Sequence, residues 1–235
     1  MKKRFANKNI LIVGASTGIG HEAARMVLAE GGTVWVAGRN KPDLEVEFLK
    51  WDALAPEDSV FDSLPETMHG LIYCAGTINL KPFGRLKLEN FNTDFQINTL
   101  GAVAALQPNI NRLKKSNGAG VVFFSSVAAN TGFTFHTSIA MAKAGLQGLA
   151  IALAAEFALA GIRFNVIAPS LTDTPLAEQL LSSEDRREAS AKRHPLGRFG
   201  TPQDLATAAT YLVSEDASWI TGQILGVDGG LGKLK

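Results

Sequence analysis

Three glycines near the beginning of the chain have the spacing of a phosphate-binding turn. Residues 14–20 read Gly-Ala-Ser-Thr-Gly-Ile-Gly and follow an apolar run at 10–13. In such a turn the glycines permit a tight bend, a close approach of the backbone to a pyrophosphate, and packing of the next helix, whose first amides face the anion. The spacing differs from the general fingerprint G-x-G-x-x-G, so the prediction of a phosphate-binding turn depends on the position of these glycines directly after a strand. The alternative is a glycine-rich turn that binds no ligand. The residues predicted to hold phosphate are Gly14, Ser16, Thr17, Gly18, Ile19 and Gly20.

The residues after the second and third apolar segments indicate which nucleotide this turn would bind. Arg39 and Asn40 follow the second segment. An acidic residue here would accept a hydrogen bond from the ribose 2′-hydroxyl of NAD, whereas an arginine suits the 2′-phosphate of NADP. Arg39 therefore favours NADP, with a solvent-facing arginine as the alternative. Asp52, after the third segment, is predicted either to accept from an adenine amino group or to cap a turn.

Strand-like and helix-like segments alternate along the whole chain. The predicted strands lie at residues 10–13, 33–37, 46–51, 71–74, 121–124, 162–168 and 224–227, and the predicted helices at 20–30, 91–113, 137–160 and 202–213. This alternation predicts an α/β fold: a single Rossmann-type domain over residues 1–235 with a doubly wound sheet of seven parallel strands. Only residues 40–46 separate the second strand from the third, so this connection is predicted to be shortened and to contain no full helix.

Short motifs follow one another in a fixed order from one end of the chain to the other. They are the glycine turn, Cys74-Ala75-Gly76, Asn98, Ser125-Ser126, Lys143, Pro169, Thr174, the run at 197–202 and Val227-Asp228-Gly229-Gly230. With these motifs the chain resembles the short-chain dehydrogenase/reductase family and is most similar to its 3-oxoacyl-[acyl-carrier-protein] reductase branch. The resemblance covers the whole length. It is specific for the family and much less specific for a substrate.

The resemblance implies roles for individual residues. In the family a serine and a tyrosine contact the substrate carbonyl, and the tyrosine is the general acid or base. A lysine four residues later binds the nicotinamide ribose and lowers the pKa of the tyrosine, and an asparagine holds a water that completes the proton relay. By position, Ser126, Lys143 and Asn98 take the serine, lysine and asparagine roles. The further cofactor contacts implied are Ala53, Ala75, Gly76, Asn98, Lys143, Pro169, Thr172 and Thr174.

The tyrosine position of the family holds Ile139. It lies four residues before Lys143 and thirteen after Ser126, and the motifs on both sides match, so a shifted alignment does not explain the replacement. Isoleucine cannot donate a proton, and general acid–base catalysis typically contributes about 10²–10⁴-fold. The chain has two tyrosines, Tyr73 and Tyr211, and the sequence places both away from the carbonyl. We therefore expect cofactor binding with severely impaired reduction.

Three functional hypotheses follow. In the first, the chain is an NADP(H)-dependent reductase for carbonyl/alcohol interconversion, with 3-oxoacyl thioesters as one candidate substrate, inactivated by Ile139. In the second, it is a natural pseudoenzyme that binds NADP(H) as a sensor or as the partner subunit of an active paralogue. In the third, His136 or water supplies the proton, although a loop histidine without function is the simpler explanation of His136.

Composition excludes several other classes of protein. With 23 basic and 22 acidic side chains and 46% hydrophobic residues, the chain is not a disordered one and lacks the basic excess of a nucleic-acid binder. A single cysteine, Cys74, fits a reducing compartment. The expectations are a cytoplasmic location, a small-molecule carbonyl or acyl-thioester substrate, no metal, no nucleic acid and no membrane. The resemblance further implies a homodimer or homotetramer, and the polar stretch 176–200 is expected to form a substrate lid.

Overall fold

Seven strands form one parallel sheet in the computed structural model, which describes residues 3–234. The strands are β1 (Asn9–Val13), β2 (Thr33–Gly38), β3 (Glu47–Lys50), β4 (Gly70–Tyr73), β5 (Gly120–Phe124), β6 (Arg163–Pro169) and β7 (Ile224–Val227). Their order is β3-β2-β1-β4-β5-β6-β7, and every pairing is parallel. The chain thus moves outward from β1 to β3 and then continues on the other side of β1 with β4. The predicted doubly wound α/β fold with seven parallel strands is confirmed.

Helices cover both faces of this sheet. The α-helices of the described residues are α1 (Gly18–Ala29), α2 (Leu88–Phe95), α3 (Gly101–Leu106), α4 (Ile110–Lys114), α5 (Thr137–Phe157), α6 (Glu184–Arg193) and α7 (Pro202–Val213). Helices α1 and α7 share one apolar core with the sheet, and α3–α5 share the other. Side chains alternate between the faces of a strand; in β1, Ile10 and Ile12 join the first core, whereas Leu11 and Val13 join the second. The sheet is therefore held between two packed layers.

The connection between β2 and β3 contains no helix, as the sequence predicts. β3 pairs directly with β2, with Val36 opposite Phe48. The intervening loop contributes Leu44 and Val46, which pack against the apolar core that contains α1. Two loop side chains thus cover part of the face that a crossover helix would cover. The third strand, predicted at 46–51, is shorter than expected.

The segment predicted as one long helix at 91–113 is helical throughout but is not one regular α-helix. The chain there forms α2, a π-helical turn over Gln96–Leu100, α3, a 3-10 turn over Gln107–Asn109 and α4. The 3-10 turn contains Pro108, which has no backbone N–H to continue an α-helical ladder.

The π-helical turn over Gln96–Leu100 contacts a side chain from the sheet. Tyr73, at the end of β4, donates its hydroxyl hydrogen to Ile97 O at 2.6 Å. Only a glycine leaves room for this hydroxyl, because a Cβ atom on Gly101 would lie 2.2 Å from Tyr73 Oη. A side chain inserted in this way widens a helical turn. The widened turn contains Asn98.

Helix α5 follows the prediction at 137–160, ending in a 3-10 turn over Ala158–Ala160. By length and composition alone, Thr137–Ala160 could cross a membrane, with a mean hydropathy of 1.4. Core helices of globular folds pass the same test, and 44% of this window is buried inside the fold, where α5 packs against α2 and β6. The segment is therefore weak support for a membrane span.

Candidate active site

A cavity of about 730 Å³ lies at the carboxyl ends of the central strands, where the strand order reverses between β1 and β4. Open α/β sheets bind ligands at such a switch point. The cavity brings together all the predicted site residues except Asn98. They are Gly14, Ser16, Thr17, Gly18, Ile19, Gly20, Arg39, Asn40, Asp52, Ala53, Ala75, Gly76, Ser126, Ile139, Lys143, Pro169, Thr172 and Thr174.

The glycine turn forms a cradle for a phosphate group. Gly14 has φ of 82°, and a Cβ atom on it would lie 2.7 Å from Ala75 N; a Cβ atom on Gly20 would lie 2.3 Å from Gly14 O. Helix α1 begins at Gly18, its N-cap residue Thr17 makes no side-chain capping bond, and its first turn contains no acidic residue. The helix amides are therefore left for an anion in the cavity. Thr174 lies beside this turn, 3.3 Å from where a Cβ atom of Gly18 would be.

The other end of the cavity carries the residues predicted to select the nucleotide. Arg39 is exposed and forms no ion pair within residues 3–234. Its guanidinium is thus available to an anionic group. Asp52 Oδ1 accepts from Leu54 N at 3.0 Å, so Asp52 caps a turn while also lining the cavity.

Lys143 is a buried cation on the cavity wall. Its side chain lies on the same face of α5 as Ile139, because residues four apart share one face of a helix. The amine donates to Phe124 O at 2.6 Å. Burial lowers the pKa of Lys143 to about 8, opposed by the nearby Cys74 and Asp94. Ile139 is 5% exposed and contributes only apolar surface to the cavity.

The two serines after β5 have different environments. Ser125 is buried, donates to Lys143 O at 3.0 Å and accepts from Gln147 Nε2 at 2.9 Å. Ser126 is half-buried, and its Oγ accepts from Ala128 N at 3.1 Å. This bond leaves the hydroxyl hydrogen of Ser126 available to a ligand. Ser126 is therefore the serine that can donate into the cavity.

Asn98 is fully buried behind the cavity rather than on its wall. Its Nδ2 donates to Thr77 Oγ1 and to Asp94 O, both at 2.8 Å, and its Oδ1 accepts from Thr77 N at 3.3 Å. A Cβ atom on Gly76 would lie 3.0 Å from Asn98 Oδ1 and 3.5 Å from Lys143 Nζ. A side chain at position 76 would therefore crowd both Asn98 and the Lys143 amine.

Neither tyrosine of the chain lines the cavity. Tyr73 is completely buried, its hydroxyl is bonded to Ile97 O, and burial raises the pKa of its phenol. Tyr211 lies on α7, 39% exposed. No phenol is therefore available at the position four residues before Lys143.

The comparisons with known proteins agree with this geometry. The family described as Enoyl-(Acyl carrier protein) reductase matches residues 14–232. The chain belongs to the short-chain dehydrogenase/reductase family. It is 31% identical over 245 residues to a 3-oxoacyl-[acyl-carrier-protein] reductase of Thermotoga maritima. The matched region covers 97% of this chain and 99% of that relative. Members of this oxidoreductase family act on small-molecule substrates and commonly oligomerise.

Solved structures with the same fold include other dehydrogenases. The ligand-free aldohexose dehydrogenase of Thermoplasma acidophilum superposes with a TM-score of 0.90 at 27% identity, covering 98% of this chain and 95% of that one. The protein ElxO, solved with NADP bound, superposes with a TM-score of 0.88 at 25% identity, covering 95% of this chain and 98% of that one.

This member of the family has an apolar cavity mouth that sequence reasoning missed. Its side chains come from loops and from the segment around α6, and they are Ile78, Leu80, Phe133, Phe135, Leu176 and Leu180. Loop residues carry no periodic pattern, so only the three-dimensional structure groups them. Phe135 has φ of 68°, an unusual backbone conformation for a bulky residue.

Two polar residues, Arg193 and His136, also line the cavity. Arg193, at the end of α6, lines the cavity and was not predicted. His136 also lines it; its Nδ1 contacts Thr134 O at 2.7 Å and its ring lies 5.5 Å from that of Phe133. Residues 3–234 contain no group of three or more acidic, histidine or cysteine side chains able to hold a metal ion.

Proposed function

We propose that this chain is an NADP(H)-binding short-chain dehydrogenase/reductase for carbonyl/alcohol interconversion whose own activity is severely reduced by Ile139. One observation carries the proposal: Ile139 lies on the cavity wall one helical turn before the buried Lys143. Ser126 and Lys143 line the same cavity as Ile139. The group missing is a proton donor at position 139.

The residues present fit a nicotinamide dinucleotide. The cradle at Gly14 and Gly20 and the uncapped start of α1 suit a pyrophosphate, and Arg39 suits a 2′-phosphate. NADPH, when bound, would supply the hydride. Lys143, protonated below about pH 8, would bind the nicotinamide ribose, and Ser126 would donate its free hydroxyl hydrogen to a substrate carbonyl. Asp52, Ala53, Ala75, Gly76, Pro169, Thr172 and Thr174 would line the remaining cofactor surface.

Ile139 leaves reduction without its final proton transfer. An alkoxide formed from a carbonyl must gain a proton, and Ser126 alone is a weak acid. Lys143 Nζ donates to a backbone carbonyl rather than to a phenol. Substrate binding is not lost, because the isoleucine adds apolar surface to a mouth that is already apolar.

Restoring a phenol tests the proposal. Ile139→Tyr is expected to raise the rate of NADPH-dependent reduction of a ketoacyl thioester by about 10²-fold or more, the typical contribution of general acid catalysis. Ile139→Phe is the matched control, because it adds the ring without the hydroxyl, and it should stay at the starting rate. The rate is measured from NADPH absorbance over a panel of carbonyl compounds.

The same experiment separates the second candidate, a pseudoenzyme that binds NADP(H) as a sensor or partner subunit. The retained cofactor residues beside an apolar wall support this candidate. It predicts that Ile139→Tyr binds NADPH and remains inactive over the whole panel. Turnover by the unchanged protein that is abolished in His136→Ala would instead support His136 as the proton source.

The substrate and assembly are proposed on separate grounds. The apolar mouth suits a small-molecule carbonyl or the chain of an acyl thioester, and the segment 176–200 would act as its lid. The exposed side chains of Met141 and Ile151 on α5 support pairing of this helix in a homodimer or homotetramer. A cytoplasmic location fits the single free cysteine. Sedimentation equilibrium measures the assembly, and a monomer at all concentrations would refute it.

A further inference from the structure

Asp94 is a buried carboxylate to which the proposed chemistry assigns no role. It lies near the end of α2, 1% exposed, and no cation contacts it in the part of the chain that the structure describes. Two hydroxyl groups bond to it instead. Ser138 Oγ donates to Oδ2 at 2.5 Å, and Thr77 Oγ1 donates to Oδ1 at 2.7 Å. A buried carboxylate is costly unless it is hydrogen-bonded, so these two donors explain how the group is tolerated.

The three groups belong to three segments that meet behind the cavity. Thr77 follows β4 and lines the cavity, whereas Asp94 belongs to α2. Ser138 is in the first turn of α5, directly before Ile139. The carboxylate therefore ties the loop after β4 and the first turn of α5 to one helix.

Through Thr77, the carboxylate also fixes the side chain of Asn98. The Thr77 hydroxyl gives its only hydrogen to Asp94, so it can only accept from Asn98 Nδ2. The second amide hydrogen of Asn98 goes to Asp94 O, and Thr77 N donates to Asn98 Oδ1. Turning this amide by 180° would place its oxygen against a backbone carbonyl and a hydroxyl with no free hydrogen. Only one orientation of Asn98 satisfies every partner.

Asp94 also interacts electrostatically with Lys143. The groups around the Lys143 amine are Phe124 O, the Cys74 thiol and, through space, Asp94. Burial raises the pKa of the Cys74 thiol to about 12, so the thiol is neutral near pH 7. Of these groups Asp94 is the carboxylate, and together with Cys74 it opposes the effect of burial on the pKa of Lys143.

We propose that Asp94 is a positioning residue of the site: with Thr77 and Ser138, it holds Asn98 in one orientation and interacts electrostatically with Lys143. The proposal rests on the proposed function only in taking Asn98 and Lys143 as site residues. Both tests below are made on the full chain without cofactor or turnover, so they succeed or fail independently of whether Ile139→Tyr restores reduction.

The first test is the titration of Lys143 by ¹³C NMR of protein labelled at lysine Cε, with the signal assigned by Lys143→Arg. Asp94→Asn keeps the shape of the side chain and removes its charge. It is expected to lower the titration midpoint by about half a pH unit or more. Asp62→Asn, an equal change on an exposed residue, is the control and should leave the midpoint in place. A folded Asp94→Asn protein with the original midpoint would overturn the proposal, even if its melting temperature fell.

The second test follows the side-chain amide of Asn98 by hydrogen exchange in ¹⁵N NMR. Thr77→Val removes the hydroxyl at constant size and should speed this exchange roughly fivefold or more, the effect of one lost hydrogen bond. Thr77→Ser keeps the hydroxyl and should retain the original rate. Because Asp94 is intact in both variants, this test of the Asn98 part of the proposal can be made even if Asp94→Asn does not fold. Equal exchange in the two variants would refute the positioning of Asn98.

Discussion

Gly101 is the position where one added methyl group should disturb the site most directly. A Cβ atom there would lie 2.2 Å from Tyr73 Oη and 2.8 Å from Ala53 Cβ. Normal contacts are about 3.5–4.0 Å, so the phenol must move by more than 1 Å or the π-helical turn must shift. Overpacking of this kind costs about 1–3 kcal/mol. The Gly→Ala change itself favours a helix by about 1 kcal/mol, and we expect a net loss of up to about 2 kcal/mol in the free energy of unfolding.

A double-mutant cycle shows whether the phenol hydroxyl causes this loss. Tyr73→Phe alone should cost about 1 kcal/mol, because Ile97 O loses its hydrogen bond. In the double variant with Gly101→Ala, the nearest clash is gone, and the contacts with Ala53 Cβ at 2.8 Å and Gln96 O at 3.3 Å remain. The combined loss should therefore be smaller than the sum of the single losses by about 1 kcal/mol or more.

Urea unfolding, followed by tryptophan fluorescence, measures all four proteins of the cycle. Gly148→Ala is the matched control, because a Cβ atom at this position in α5 meets nothing within 4 Å. It should gain up to about 1 kcal/mol from helix propensity. Additive losses at Gly101 and Tyr73, or a stabilised Gly101→Ala protein, would refute the explanation of the π-helical turn.

Two further predictions concern the charged groups of the cavity. A folded-state pKa of about 8 for Lys143, against 10.5 for a free lysine, means that the folded protein binds fewer protons between these values, so stability should rise with pH from 8 to 10.5. Lys143→Met should remove this rise with pH. It should also increase the free energy of unfolding at pH 7 by about 1 kcal/mol, a figure that allows for the hydrogen bond lost by Phe124 O. Lys81→Met, at an exposed lysine, is the control, and an unchanged pH profile of stability for Lys143→Met would contradict the prediction. Arg39→Asp should weaken NADPH binding by about 10–100-fold and NADH binding much less. Lys41→Asp is the control and should weaken the binding of both nucleotides only slightly. Calorimetric titration measures these affinities, and equal effects of Arg39→Asp on both nucleotides would exclude a 2′-phosphate contact.

The sequence predicts the parts of this protein that depend on local patterns. The glycine turn, the alternating segments and the short connection before β3 are each encoded by neighbouring residues, and the structure contains them. The interrupted helix was missed because its cause, the hydroxyl of Tyr73, lies more than twenty residues earlier in the chain. No periodic pattern distinguishes the π-helical turn from an α-helix.

The same limit applies to the site. The resemblance to the family assigns Ser126 and Lys143 to the site, and the strand end before Ser126 and the helical spacing before Lys143 agree with that assignment. The contacts of Asp94 with Thr77 and Ser138 join three segments distant in the sequence, and the apolar mouth is assembled from loops. These features depend on the packing of the sheet and could be found only in the folded chain.

The loop between β2 and β3 affects how this protein can change in evolution. It runs outside the sheet, and its apolar contribution to the core is limited to a few side chains such as Leu44 and Val46. Extra residues inserted here would extend the edge beside Arg39 without repacking the helical layers. A longer loop would therefore change the surface beside Arg39, while the rest of the scaffold keeps its geometry.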